Sequence, residues 1–236
     1  FPVYKALLCD VIKAEDSGKT IEINSGELSA EAYEYEEQEE LSRIYLDHNA
    51  TSPIHPDVKE IMVEMINKYG NPSSIYKEGK ESRKTVNTGR KNIARLLNTT
   101  AGRIIFTGGG SESNNYAIKG IAYKNLHKKN HIITSEIEHP SVLNTCKQLE
   151  DQGFEISYLK IDENGIISAE KLDEAITDKT CLVSIMTANN ETGVLQPIKE
   201  LCKTAHRKGA LFHTDAVQAV GKIIIDVKET EVDMLS

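Results

Sequence analysis

The sequence predicts an α/β protein, a mostly parallel sheet with helices on both faces. Three observations predict it. From Ile44 onward, short apolar runs alternate with longer segments of helical periodicity. The 236 residues, 39% hydrophobic and 27% charged, suffice for one large domain with a sizeable core. No apolar run approaches the roughly 20 residues that a membrane-spanning helix needs.

Residues 1–43 stand apart by charge. They hold 11 acidic against 4 basic residues, whereas 44–236 hold 25 against 24, so the N-terminal segment carries nearly all of the net charge of −8. It reads as an acidic leader or small appended module. Two extended runs, 3–12 and 20–23, flank the turn-like Glu15-Asp16-Ser17-Gly18, and an acidic helix follows from Ser29, its N-cap, to Arg43.

The body, 44–236, is then read element by element. Val58, Ile61, Met62, Met65 and Ile66 fall at i, i+3, i+4, i+7 and i+8, an amphipathic helix entered through Pro56 and stopped at Gly70-Asn71-Pro72. A basic helix follows to about Leu97. The spacing next predicts a strand over 103–107, a glycine turn over 108–110 and a helix over 111–128 with Ile118, Ile121, Ala122 and Leu126 inward. Strands over 131–135, 155–161, 180–187 and 210–214 alternate with helices over 141–152, 169–176 and 198–208.

Charge and cysteine usage exclude several classes. A nearly neutral body has no basic stripe for nucleic acid. Cys9, Cys146, Cys181 and Cys202 form no Cys-x-x-Cys pair, which argues against structural zinc and a disulfide framework and for a reducing, cytoplasmic setting. The apolar start lacks a basic flank and is broken by Asp10, a poor signal peptide. Because the chain begins at Phe1, it is expected to be processed or cut.

In parallel sheets ligands bind beyond the carboxyl ends of the strands, so the residues there carry the functional reading. Gly108-Gly109-Gly110-Ser111-Glu112 joins a strand to a helix, where free N–H groups cradle a phosphate without a lysine; a plain tight turn is the alternative. His139 could stack on a flat ring, act as acid or base, or cap a helix. Asp215 is either an N-cap or a carboxylate set against a cationic ring nitrogen. His213 and Asp215 share a strand face but lack a third ligand, so no metal is expected. Asn189-Asn190 offers neutral donors or a loop turn. Together these devices describe one ligand with a phosphate, a flat ring, a protonated ring nitrogen and an oxygen seeking donors. Pyridoxal 5′-phosphate has all four.

Tyr45-Leu46-Asp47-His48-Asn49-Ala50-Thr51, Gly70-Asn71-Pro72-Ser73-Ser74, Phe106-Thr107-Gly108, Glu112-Ser113-Asn114-Asn115, Glu138-His139, Asn189-Asn190-Glu191-Thr192-Gly193 and His213-Thr214-Asp215-Ala216-Val217-Gln218 occur in that order. In this, the chain from Ile44 to Ser236 resembles the cysteine desulfurases of the class V aminotransferase group of pyridoxal-phosphate enzymes. The resemblance implies the large domain of fold-type I enzymes, truncated. It implies that Gly110, Ser111 and Glu112 hold the cofactor phosphate and that His139 stacks on the ring and serves in catalysis. Asp215 would pair with the ring nitrogen, Gln218 and Asn189 would bond the ring hydroxyl or the substrate, and Asn49-Ala50-Thr51 would line the mouth. The implied reaction removes sulfur from L-cysteine, giving alanine and an enzyme persulfide. That sulfur passes to an acceptor or scaffold protein for iron–sulfur cluster or thio-cofactor assembly, and the enzyme works as a homodimer.

Two departures accompany the resemblance. Residues 1–43 have no match in the family core, and the chain stops before the Ser-x-His-Lys motif whose lysine anchors the cofactor. The nucleophilic cysteine and the substrate-binding arginine of the family come later still. The chain by itself is therefore expected to be inactive, and Cys146, Cys181 and Cys202 to be buried apolar residues. Selenocysteine lyase or another class V member, a non-enzymatic binding or scaffold protein, and a nucleotide or sugar-phosphate binder are the competing readings.

Overall fold

The computed structural model describes residues 44–236; the hairpin and acidic helix expected in 1–43 lie outside the described residues. The body is built on five parallel strands, β1 (His131–Ser135), β2 (Glu155–Leu159), β3 (Thr180–Ser184), β4 (Leu211–Thr214) and β5 (Met234–Leu235), in the order β2-β1-β3-β4-β5. Around them lie helices α1 (Pro56–Ile66), α2 (Lys77–Leu96), α3 (Gly110–Asn125), α4 (Pro140–Glu150), α5 (Ala169–Ala175), α6 (Ile198–Arg207) and α7 (Val227–Thr230).

Period-two side-chain alternation divides the core between the sheet faces. Ile132 and Leu182 pack on one face with Ile118 and Ala122 of α3 and with Val142, Cys146 and Leu149 of α4. Ile133, Val183 and Phe212 pack on the other with Leu172 of α5 and Leu201, Cys202 and Ala205 of α6. β1 and β3 are buried at every position, as strands covered on both faces must be. Cys146, Cys181 and Cys202 are free and buried among these apolar side chains, as expected.

The register brings the strand ends level. Thr134 pairs with Ser184, Ser184 with His213, and Thr214 with Leu235. The loops after β1, β3 and β4 therefore open on the same edge of the sheet.

Four expectations are corrected. Residues 103–107 form no strand: a 3-10 turn spans Ala101–Arg103, and the residues after it find no ladder partner among the described residues. The strand expected over 180–187 ends at Ser184, and Ala188 instead bridges antiparallel to Leu195. Leu126 lies past the end of α3 and is exposed, while Ile118 and Ala122 are buried. The helix carrying Val58 and Ile61 forms, entered through Pro56 as expected, but among the described residues its stripe is uncovered.

Candidate active site

A cavity of about 490 Å³ opens at the shared strand edge. Asp47, Asn49 and Ala50 line its mouth, Gly110, Ser111 and Asn114 of α3 one wall, and His139, Asn190, Asp215 and Gln218 are among the residues of the others. A larger cleft of about 990 Å³ lies elsewhere along α3, with walls that include Ile104, Tyr116 and Leu235. It gathers none of His139, Asp215 or Gln218, so the smaller cavity is the candidate site.

The α3 wall offers an anion-binding helix start. The first-turn amides of a helix have no intrahelical acceptor, and the macrodipole favours negative charge there. Gly110 is required by a close approach. A Cβ at that position would stand 2.8 Å from Val217 Cγ2, too near for any side chain without a shift. Ser111 and Asn115 of the first two turns also face a smaller cavity shared with His139.

Asp215 follows β4 and is 94% buried. Its Oδ1 accepts the Val217 N–H at 3.0 Å, and its Oδ2 accepts Asn114 Nδ2 at 2.8 Å. Neither donor carries a charge, so a cation in the cavity would answer the carboxylate's charge without displacing a partner. His139 is the N-cap of α4, and its Nδ1 accepts the Ser141 N–H at 3.1 Å. His139 thus caps the helix, one of its expected readings, and also lines the cavity.

Next to it, Glu138 is buried. Its Oε1 accepts the Ser135 hydroxyl at 2.6 Å and the Met186 N–H at 2.9 Å, while Oε2 has no partner. Burial, with a smaller contribution from Asp215, pushes this carboxyl up to about 8, so at neutral pH it holds a proton.

The structure separates some of the expected residues. Asn189 is buried and does not line the cavity: Nδ2 donates to the Ile137 carbonyl at 3.0 Å, and Oδ1 accepts the N–H groups of Glu191 and Thr192 at 3.0 and 2.9 Å. Its amide is consumed in shaping the turn, and the neighbouring Asn190 faces the cavity instead. Glu112 turns away as well, its carboxylate accepting the Gly108 N–H and lining the larger cleft. Thr51 is exposed and is not among the lining residues, although Asn49 and Ala50 are. Gln218 reaches the Asn49 carbonyl at 3.5 Å and so links the mouth to the β4 turn.

His213 offers nothing to a metal. Its two ring nitrogens contact the hydroxyls of Ser184 at 2.8 Å and Ser236 at 3.0 Å, and burial lowers its pKa to about 4. Among the described residues no group of three ligating side chains could hold a metal ion.

Asn114, Ser141 and Glu138 are the site residues that sequence reasoning missed. Asn114 precedes Ile118 by four residues and Ala122 by eight. It therefore falls on the buried stripe of α3, where an amide needs a reason to be.

Known proteins resemble the chain over the same span. Residues 44–236 match the family described as Aminotransferase class-V. The cysteine desulfurase IscS of Methanosarcina thermophila is 50% identical over 198 residues, 84% of this chain and 49% of that protein. A cysteine desulfurase of a Nostoc species (strain PCC 7120) is 47% identical over 197 residues, 83% of this chain and 49% of that protein. The chain thus spans about half the length of the curated relatives it matches. Among solved structures, SspA in complex with cysteine superposes with a TM-score of 0.80 at 42% identity, over 82% of this chain and 56% of that one. A NifS-like protein superposes at 0.79 with 37% identity, over 82% and 55%.

Proposed function

The chain belongs to the Aminotransferase class-V family, and on that premise we propose that it is the cofactor-cradling part of a cysteine desulfurase. The whole protein would take sulfur from L-cysteine and release alanine. The buried Asp215 carboxylate, facing the same cavity as the free start of α3, is the observation that carries the reading.

Pyridoxal phosphate suits these residues. Its phosphate needs an anion site where the backbone comes close, and Gly110 leaves room for one beside Val217. Its ring nitrogen needs a carboxylate in a sheltered place, which Asp215 supplies. When bound, the cofactor supplies an electron sink for a substrate amino acid.

The chain's own residues do the rest. The first turn of α3, with the Ser111 hydroxyl, binds the phosphate. His139, on the cavity wall, would shield the cofactor ring from water. Asp215 holds a proton on the ring nitrogen, without which the sink is weak. Gln218 and Asn190 orient the remaining oxygens, and Asn49 and Ala50 bound the space left for substrate. The relatives' names support sulfur removal from cysteine, and the family resemblance supports use of that sulfur in iron–sulfur cluster or thio-cofactor assembly. Family resemblance supports a homodimer that delivers sulfur to an acceptor or scaffold protein, and the cysteine pattern supports a reducing, cytoplasmic setting.

The test is a purified full-length protein loaded with pyridoxal phosphate and given L-cysteine. Alanine and protein-bound sulfur in equal amounts are expected. Cofactor binding without alanine would reject the activity, and failure to bind the cofactor would reject the site.

A further inference from the structure

A line of hydrogen bonds runs from Asp215 to His139. Asn114 Nδ2 donates to Asp215 Oδ2 at 2.8 Å and to Ser141 Oγ at 2.9 Å. Ser141 Oγ lies 2.7 Å from His139 Nδ1. The orientation of the Asn114 amide follows from charge. Turned over, it would set its Oδ1 against the Asp215 carboxylate, acceptor against acceptor. In the orientation found, both Nδ2 protons are used and Oδ1 is left buried without a partner. Such an orphan costs free energy, so the two bonds made by Nδ2 must outweigh it.

The direction of every proton along this line is then fixed. An amide nitrogen only donates, so Ser141 Oγ accepts from Asn114. The one hydroxyl proton of Ser141 is thereby left for His139 Nδ1. That nitrogen also receives the Ser141 N–H at 3.1 Å. Two donors aim at Nδ1, so in the neutral ring the proton sits on Nε2.

We propose that Asn114 and Ser141 are positioning residues that hold His139 in its Nε2–H tautomer and bind it to the orientation of Asp215. Any proton that His139 gives or takes must then pass through Nε2, on the side of the ring away from α4. One residue pair would set both the group that covers the ring and the group that answers its nitrogen. This role in chemistry rests on the cofactor reading above; the tautomer itself does not.

The experiment is nitrogen NMR of the full-length protein, labelled with 15N-histidine and free of cofactor. In the wild type the unprotonated, downfield nitrogen of His139 should be Nδ1. Asn114→Asp places an acceptor where Nδ2 stood. The Ser141 hydroxyl must then donate toward position 114 and is lost to the ring, so Nδ1 keeps only the Ser141 N–H and its resonance should move further downfield. Ser141→Thr keeps the hydroxyl and should leave the wild-type pattern in place. Ser141→Ala cuts the line while sparing the Asn114–Asp215 bond; the residue-141 N–H alone then bonds Nδ1, whose resonance should move further downfield, and this variant carries the test if Asn114→Asp does not fold. A wild-type ring protonated on Nδ1 overturns the proposal. So does an Nδ1 resonance that stays unmoved in a folded Asn114→Asp or in Ser141→Ala. Because no cofactor is present, a protein that failed to bind pyridoxal phosphate would sink the proposed function and leave this inference standing. A normal holoenzyme with the wrong tautomer would do the opposite.

Discussion

The Glu138 carboxyl accepts the N–H of Met186 at 2.9 Å, and so ties the loop that carries His139 to the end of β3. Its proton, like the neutral state of His213, is set by burial.

These two groups give stability a defined pH dependence. Glu138 is raised from 4.5 to about 8, so its contribution is complete below 4.5 and is lost as pH rises through about 8. His213 is lowered from 6.5 to about 4, so its contribution is complete above 6.5 and is lost as pH falls through about 4. The two slopes oppose each other between 4.5 and 6.5, and above 6.5 Glu138 acts alone. Urea midpoints of the wild type should therefore fall between about pH 6.5 and 8, whereas those of Glu138→Gln should stay level there. Parallel curves for the two proteins would show that Glu138 is ionised in the fold.

Gly110→Ala should loosen the phosphate cradle. The new Cβ would meet Val217 Cγ2 at 2.8 Å, and a β-branched side chain has little freedom to turn aside. Affinity for pyridoxal phosphate, followed by equilibrium dialysis, is expected to drop by roughly tenfold or more, as a cost of about 1–3 kcal/mol for overpacking implies. Adding Val217→Ala should recover most of it. Unchanged binding in Gly110→Ala would place the phosphate elsewhere.

Asp215→Ala and Ser111→Ala should fail in different ways. Without its carboxylate the ring nitrogen loses a partner, about 1–3 kcal/mol in a sheltered site, and turnover per bound cofactor should fall. Without the Ser111 hydroxyl the phosphate is held less well, so occupancy should fall while turnover per bound cofactor stays near normal. The check is cofactor absorbance beside alanine formation in the full-length protein. Normal turnover per bound cofactor in Asp215→Ala would be incompatible with the role given to it.

Cys202 has the neighbours of a nucleophile without its chemistry. Its Sγ lies 3.7 Å from His206 Nε2, which in turn contacts Asp233 at 2.8 Å. Yet the thiol is buried, donates to the Glu231 carbonyl at 3.3 Å, and is pushed up to about 12 by that burial, as is Cys146. Iodoacetamide at neutral pH should label Cys146, Cys181 and Cys202 only after unfolding. Fast labelling of Cys202 in the folded protein would contradict this.

The alternation of strands and helices was legible because β1, β3 and nearly all of β4 are runs buried by packing on both faces, while the edge strand β2 is partly exposed. What stayed hidden is what depends on a neighbour. Residues 103–107 have the composition of a strand, but a strand also needs a partner to bond, and composition cannot supply one. His139 and Asp215 stand at strand ends and could be found by topology alone. The Asn189-Asn190 pair could be found, but not which member faces inward, because that depends on the turn the first amide builds. Asn114 and Glu138 act through partners 101 and 48 residues away, a distance no local pattern spans.

Gly110 and Val217 touch where α3 meets the turn after β4, and that contact works as a gauge block. The gap between the anion-binding helix start and the Asp215 carboxylate is set by backbone meeting a stiff side chain, with no flexible arm in between. Ligand length is thereby decoupled from ligand identity. Substitutions at Asn49, Asn190 or Gln218 can retune what the mouth admits while the gauge keeps the same reach between the two ends of whatever is held.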